Sequence, residues 1–422
     1  MGRKVPGAPA VVLLLCLSVA AQEALTSSSA QSSRQVVQPD DRTRLLQQMN
    51  KQVQLEGFFY NGSIPMLVRN MELVQGDTPI PPDKYVPITG PIPSSFKPGA
   101  KVRIGGQVQK PTGEKLPGEA LALQVTARAQ ASVVQAPPSA ILNQSALAVA
   151  IAPPAVTPLP EHYALLIGTG MNAANDYVRY WNDLVRMYQL LISEGYNPAN
   201  IRVVYASGVP KSPSMPVHYA ATMGGITTAF TYFVPKVKAD GRMYILVVGQ
   251  GAPPGSIPGQ PTAYWTWLGI PMTPAAFAIQ VNRIATYQRM VIHMNQSFSG
   301  GFIPYLMRPD RIIITAAAAH SQSWAHPSLY YGNFNYWYLS ALRGHLLFSE
   351  APVNADANGN GRVSLAEAYN YTLPRPGGPG SPPIPPISSQ MPMFEDTGGP
   401  PARYGHLPGA GEGLVGIVTY LW

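Results

Sequence analysis

Apolar residues along this chain follow two patterns. From residue 57 to 128 they come in short alternating runs, Met66-Leu67-Val68, Val102-Arg103-Ile104, Gln107-Val108 and Leu121 to Val125. Proline and glycine punctuate them, as at Ile80-Pro81-Pro82 and Lys97-Pro98-Gly99. Period-two runs between turn formers predict a small antiparallel β domain, a barrel or sandwich of roughly five strands. Beyond residue 160 the runs become continuous: Tyr163 to Gly168, Ile201 to Tyr205, Met243 to Val248, Met290 to Met294 and Arg311 to Ala316. Unbroken apolar stretches of that length are buried strands. Helical windows lie between them. Leu184, Met187, Leu190 and Leu191 repeat at helical spacing between about Tyr177 and Glu194, and Gly195 ends that helix. Thr273 caps a helix with Pro274 at its first position, running towards Thr286. Strands alternating with helices predict an α/β domain over 161–372, a doubly wound, mostly parallel sheet, preceded by the small all-β domain.

The remaining segments read as connections. Arg3 and Lys4, the apolar run Val11 to Ala20 and a small-residue exit describe a secretory signal peptide over 1–24, which implies a secreted, extracellular protein. That run is too short to span a bilayer, so no membrane span is expected. Residues 25–56 give a Ser/Gln-rich disordered segment and a short helix capped by Asp41, with Leu45, Leu46 and Met49 on one face. Residues 129–160 are an Ala/Pro-rich linker. Residues 373–422 are a Pro/Gly-rich arm that ends in an apolar strand, Leu414 to Trp422, suited to closing the chain's own sheet or a partner's edge.

Composition narrows the function. Among 422 residues, 45 are proline, 39 are glycine and only 12% are charged, which points to long irregular connections and a weakly ionic surface. The net charge of +8 is spread out with no cationic run beyond pairs, so nucleic acid is excluded as a partner class. Cys16, the only cysteine, lies inside the signal segment, which leaves the mature chain without a disulfide, a thiolate metal site or a thiol nucleophile.

Candidate chemistry gathers at two strand-to-loop junctions, since a strand that ends in a small-residue loop presents a side chain at the edge where crevices form. Met243 to Ala252 presents Gln250 beside Gly251. Met290 to Phe302 presents Ser297 ahead of Gly300-Gly301. With Arg179-Tyr180-Trp181-Asn182-Asp183, Asn200-Ile201 and Arg311-Ile-Ile-Ile-Thr-Ala316, these stretches resemble the legumain-like cysteine peptidases of the caspase and gingipain clan, in their secreted bacterial form. The resemblance spans roughly residues 160 to 372 and implies a caspase/legumain-like α/β fold. It sets Gln250-Gly251 where that family has His-Gly, with Gly251 in an oxyanion-type role, and Ser297-Phe-Ser-Gly-Gly301 where it has its cysteine motif. Both members of the dyad are thus replaced. Gln250 does not titrate, and an unassisted serine hydroxyl is a poor nucleophile. The alternative is an active hydrolase that uses Ser297, for which His293, His320 and His326 are the bases to weigh. At Arg179 the resemblance implies a substrate-side-chain pocket; the other reading is an Arg–Asp ion pair that supports the loop.

A separate motif runs from Asp356 to Glu367. Oxygen side chains fall at positions 1, 3, 5, 9 and 12 with glycine at 6, the pattern of an EF-hand calcium loop. Asp356, Asn358, Asn360, the Arg362 carbonyl, Ser364 and a bidentate Glu367 would supply the about six to eight oxygens that Ca2+ takes. With two carboxylates the expected affinity is weak. The aromatic stretch Ser328 to Tyr338 is expected in helix packing and interface. The function these observations imply is a secreted, catalytically inactive pseudopeptidase that acts through a protein partner or through self-assembly, as a polymer or matrix subunit.

Overall fold

A computed structural model describes residues 36–62, 64–110, 121–125, 131–136, 161–376, 386–396 and 419–421. The signal segment with Cys16, most of the 129–160 linker and most of the C-terminal arm lie outside the described residues.

The N-terminal half is built on one seven-stranded sheet. Its elements are β1 (Val36–Val37), α1 (Arg42–Gln47), β2 (Gln52–Asn61), β3 (Pro65–Val68), α2 (Glu72–Gln75), β4 (Tyr85–Thr89), β5 (Lys101–Gln109), β6 (Ala122–Gln124) and β7 (Ala131–Gln135). Asp41 caps α1 by accepting the Arg44 N–H at 3.1 Å, but the helix stops at Gln47 because the alternating residues from Gln52 are claimed by β2. The strand order is β1-β2-β3-β4-β6-β5-β7, and β2 also pairs with β5, so β2, β3, β4, β6 and β5 close into a five-stranded barrel. Most pairs are antiparallel, while β4 runs parallel to β6 and β1 parallel to β2. Closure requires glycine in β5: a Cβ on Gly106 would stand 2.5 Å from the Gln124 carbonyl oxygen of β6. Inward residues such as Leu55, Val86, Val102, Ile104 and Leu123 fill the barrel, all 3% exposed or less. Removing the edges of the central strands also removes sites for stray pairing.

The C-terminal half carries two further sheets. Its elements are β8 (His162–Thr169), α3 (Val178–Ser193), β9 (Ile201–Tyr205), α4 (Met223–Phe233), β10 (Arg242–Gly249), β11 (Gly251–Ala252), β12 (Ala263–Trp265), β13 (Pro271–Met272), α5 (Pro274–Asn282), β14 (Arg289–Met294), α6 (Ile303–Leu306), β15 (Arg311–Thr315), α7 (Asn333–Arg343), α8 (Leu365–Thr372), α9 (Ile387–Gln390) and β16 (Met393–Glu395). Six strands pair in the order β16-β15-β14-β10-β8-β9, with β16 antiparallel to β15 and the other pairs parallel. Strands β11, β12 and β13 form a small antiparallel sheet of their own. Alternate residues of β8 and β10 face opposite ways. Leu166 and Leu246 pack with α3, α7 and α8, while Leu165 and Ile245 pack with α4 and α5. Tyr60, Met66, Val68 and Tyr85 of the barrel belong to the first of these cores, so barrel and sheet share one apolar interior.

The expectation of an α/β protein organised by a doubly wound, mostly parallel sheet of the caspase/legumain-like type is overturned. The largest sheet is the mixed one that contains the closed barrel, and two other sheets stand beside it. A doubly wound sheet also needs a crossover helix between successive parallel strands. Here β14 leads to β15 through only a 3-10 turn and the four-residue α6, and between β10 and β14 the separate three-stranded sheet is inserted ahead of α5. Apolar runs report that a strand is covered on both faces, but they do not report how it is connected.

Of the expected C-terminal strand, the described residues 419–421 are not in strand. The Thr419 carbonyl accepts the Leu365 N–H at 3.0 Å, and the antiparallel edge of the six-stranded sheet is β16. The second half of the aromatic stretch, from Asn333, forms the first turns of α7, where Phe334 and Tyr338 are fully buried.

Candidate functional site

Gln250 lies between β10 and β11, where β10 leaves the sheet edge through Gly249. Its side chain is fully buried, with every polar atom engaged. Oε1 accepts the Met171 N–H at 3.1 Å, and Nε2 donates to the Thr78 carbonyl at 3.0 Å and to Asn175 Oδ1 at 3.1 Å. Ser297 follows β14 in a turn that puts Phe298 in the left-handed region at φ 61°. Its hydroxyl is fully buried too, accepting the Ser323 N–H at 2.9 Å and donating to the Ser323 carbonyl at 3.4 Å. The two loops touch at Gly251, where a Cβ would come within 1.9 Å of the Ser297 carbonyl oxygen, so only glycine allows the approach. The fold thus brings Gln250, Gly251 and Ser297 together.

It does not bring a histidine to them. His293 lies deep in the sheet, with Nδ1 3.1 Å from the Tyr244 hydroxyl and its ring edge-on to Phe334 and Tyr338. Burial pushes its imidazole down to about 3, which keeps it neutral at physiological pH. His326 stacks on Tyr336 at 3.9 Å between centroids, with Nδ1 2.9 Å from Ser328 Oγ, and burial pushes it down to about 3 as well. His320 is exposed. None of the three is a hydrogen-bond partner of Ser297.

Arg179, in the first turn of α3, is fully buried and ion-paired, but its partner is not the neighbouring Asp183. Nε and Nη2 donate to Asp77 Oδ1 at 2.9 and 2.7 Å. Nη1 donates to the Val74 carbonyl at 2.7 Å and Nη2 to the Gly76 carbonyl at 3.0 Å. The guanidinium also lies over the Tyr177 and Tyr180 rings, at 4.1 and 5.0 Å. Burial alone would lower its pKa, yet the Asp77 carboxylate beside it raises it, while burial pushes the Asp77 carboxyl up against the pull of the guanidinium. Tyr180 and Ser323 hydroxyls complete the carboxylate's partners at 3.1 Å each. Asp183 instead accepts the Gly332 N–H at 3.1 Å, and burial pushes its carboxyl well above the usual carboxylate range.

Asp77, between α2 and β4, is the site residue that sequence reasoning missed. Its carbonyl accepts the Gly251 N–H at 3.0 Å and its own N–H donates to the Ser323 carbonyl at 3.2 Å. One residue earlier, Gly76 forms an antiparallel bridge with Trp324, and the Ala325 N–H donates to the Gln75 carbonyl at 2.7 Å. Past it, the Ile80 N–H donates to Asn175 Oδ1 at 2.7 Å. The only signal in the sequence is an acidic residue in a Gly-Asp-Thr-Pro turn, which does not distinguish a buried ligand from an exposed bend.

The 356–367 loop folds onto itself. Asp356 Oδ1 accepts the Gly359 and Asn360 N–H groups at 2.9 and 3.1 Å, and Oδ2 accepts that of Gly361 at 2.7 Å. Asn358 and Asn360 each accept one N–H, from Asn360 and Arg362. Both amide oxygens keep a lone pair for a cation. Glu367 fits the metal less well, because its carboxylate already accepts from the Ala357, Asn358 and Ser364 N–H groups and the Ser364 hydroxyl at 2.9–3.2 Å, with a capping box on α8. Arg362 lays its guanidinium over the Tyr420 ring at 3.9 Å. Among the described residues, no group of three or more His, Cys, Asp or Glu converges as a metal site. No described helix is long and apolar enough to cross a membrane.

No family model and no curated protein matches the chain. Among solved structures, a crystal structure of a protein from Geobacter sulfurreducens aligns over 59% of this chain and 98% of its own length, at 13% identity. Its TM-score of 0.38 is too low to bear on the fold or the function of this chain.

Proposed function

We propose that this protein is a secreted, catalytically silent relative of the legumain-like peptidases that works by binding a protein partner or by extracellular assembly. One observation carries the reading: at the two loop tips the side chains are Gln250 and Ser297, both buried and hydrogen-bonded to backbone, with no imidazole among their partners. Peptide cleavage needs an activated nucleophile and a base to take its proton. A hydroxyl whose neighbours are a backbone N–H and a carbonyl has neither. A fluorophosphonate probe tests this directly, since the expected result is no labelling of the purified protein and no turnover of peptide substrates. Labelling that disappears in Ser297→Ala would instead establish an active hydrolase.

A weak calcium site in the 356–367 loop belongs to the same proposal. Asp356, Asn358, Asn360, the Arg362 carbonyl and Ser364 would hold the ion, and Glu367 would exchange its backbone partners for it. At an affinity of about 1 mM, typical of extracellular modules, 10 mM Ca2+ should add roughly 1.4 kcal/mol of stability. For a chain of 422 residues that corresponds to a rise in Tm of about 2 °C, lost in Asp356→Ala. An identical melting curve in calcium and in chelator removes the claim.

A further inference from the structure

The 356–367 loop is touched by a segment from far along the chain. Residues Thr419 to Leu421 reach positions 5, 7 and 10 of its twelve. The Tyr420 hydroxyl accepts from Asn360 Nδ2 at 3.0 Å, and the Tyr420 ring lies against the Arg362 guanidinium at 3.9 Å. The Thr419 carbonyl accepts the Leu365 N–H at 3.0 Å. Leu421 anchors the segment, at 2% exposure in the core that also holds Leu365, Ala366 and Tyr369 of α8.

Each contact bears on how the loop would hold a cation. An amide offers an oxygen on one side and two N–H donors on the other, and only the oxygen is a ligand. Asn360 Oδ1 accepts the Arg362 N–H at 2.9 Å while Nδ2 is turned to Tyr420, so the hydroxyl fixes the amide with its oxygen towards the loop backbone. Arg362 supplies a carbonyl ligand next to its own positive charge. Left unstacked, that guanidinium would be free to compete with a cation for the Asp356 carboxylate; stacking on Tyr420 restrains it. The Thr419 carbonyl holds the first N–H of α8, the helix that brings in Glu367.

We infer that Thr419 to Leu421 is a clasp on the 356–367 loop, with Tyr420 as its positioning residue, and that the clasp and Ca2+ bind the loop cooperatively. Ligands already ordered bind a cation more tightly, because less freedom is lost on binding. Linkage makes the effect mutual: the factor by which the clasp raises the affinity for Ca2+ is the factor by which Ca2+ raises the hold on the clasp. The cation thereby sets how firmly residues 419–421 are fastened to α8. This coupling rests on the calcium site proposed above and adds its regulation.

Calorimetric titration of Ca2+ into full-length wild type, Tyr420→Phe and Tyr420→Ala tests the coupling, with Asp356→Ala as the protein without a site. Tyr420→Ala is expected to bind Ca2+ about fivefold or more weakly than wild type, the lower end of typical coupling between sites. Tyr420→Phe keeps the ring against Arg362 and is expected to fall between the two. Wild type and Tyr420→Ala binding equally well overturns the coupling alone and leaves the calcium site standing. Wild type that takes up no Ca2+ overturns both. A second readout follows the clasp itself and does not depend on Tyr420→Ala folding. In a Cys16→Ser background, Leu421→Cys carries the only thiol, and its labelling by a soluble maleimide reports undocking. Ca2+ is expected to slow that labelling about fivefold or more, and Asp356→Ala to remove the effect. Equal rates in calcium and in chelator overturn the coupling.

Discussion

Asp77→Ala is expected to destabilise the protein by about 3–5 kcal/mol, the range for removing one partner of a buried ion pair. The cost comes from what stays behind. Arg179 remains fully buried on α3 with its charge met by the Val74 and Gly76 carbonyls and the Tyr177 and Tyr180 rings but by no anion, and the Tyr180 and Ser323 hydroxyls lose their acceptor. Asp77→Asn should cost less, since it keeps the volume and one acceptor oxygen. Replacing both charges, as in Asp77→Leu with Arg179→Met, should cost clearly less than the sum of the single changes, because no stranded charge is left. Urea unfolding at constant slope measures all of them. A loss under about 1 kcal/mol for Asp77→Ala would mean that the pair is far more hydrated than its burial implies.

The second large effect is on acid stability, and it resides in His293. Its imidazole sits at about 3 in the folded protein and near 6.5 when unfolded, so between those values the unfolded chain binds a proton that the folded chain refuses. Stability from this residue is complete above about pH 6.5 and falls as pH drops, by roughly 1.4 kcal/mol per pH unit, until the folded value is reached. His326, which burial also pushes down to about 3, adds to the same effect. Two carboxyls work in the opposite sense. Burial holds Asp183 protonated well above its usual range and pushes Glu194 up to about 7, so both favour the folded state as pH falls. The whole-protein profile is therefore flattened, and the histidine shows in a difference. Wild type minus His293→Phe, measured by urea midpoint from pH 7.5 to 4, should slope with loss of about one proton. Parallel profiles would show that this imidazole is solvated.

Much of the secondary structure was legible because it is written in local chemistry. The Thr273-Pro274 start of α5, the end of α3 at Gly195, and the apolar runs of β8, β10, β14 and β15 depend on neighbours within a turn or on burial of both faces. Architecture was legible only in part. Closure of the barrel depends on β2 pairing with β5 across about fifty residues, and nothing in an alternating run names its partner strand. The candidate site divides the same way. Gln250, Gly251 and Ser297 were visible as loop tips, and the structure brings Gly251 into contact with Ser297. Asp77 was invisible because its meaning comes from Arg179, 102 residues later. The 356–367 motif shows a third limit, since the spacing of oxygens does not reveal that Glu367 spends its lone pairs on the loop's own N–H groups.

That separation of 102 residues has a bearing on biosynthesis. At about 5–20 residues per second, the barrel and its acidic loop leave the ribosome some 5–20 s before the arginine that will enclose the loop. Through that interval Asp77 is an ordinary hydrated carboxylate on an exposed bend, and two growing chains on one messenger each display it. The carboxylate therefore stays in water until α3 has been made, and its burial is among the last steps available to the growing chain.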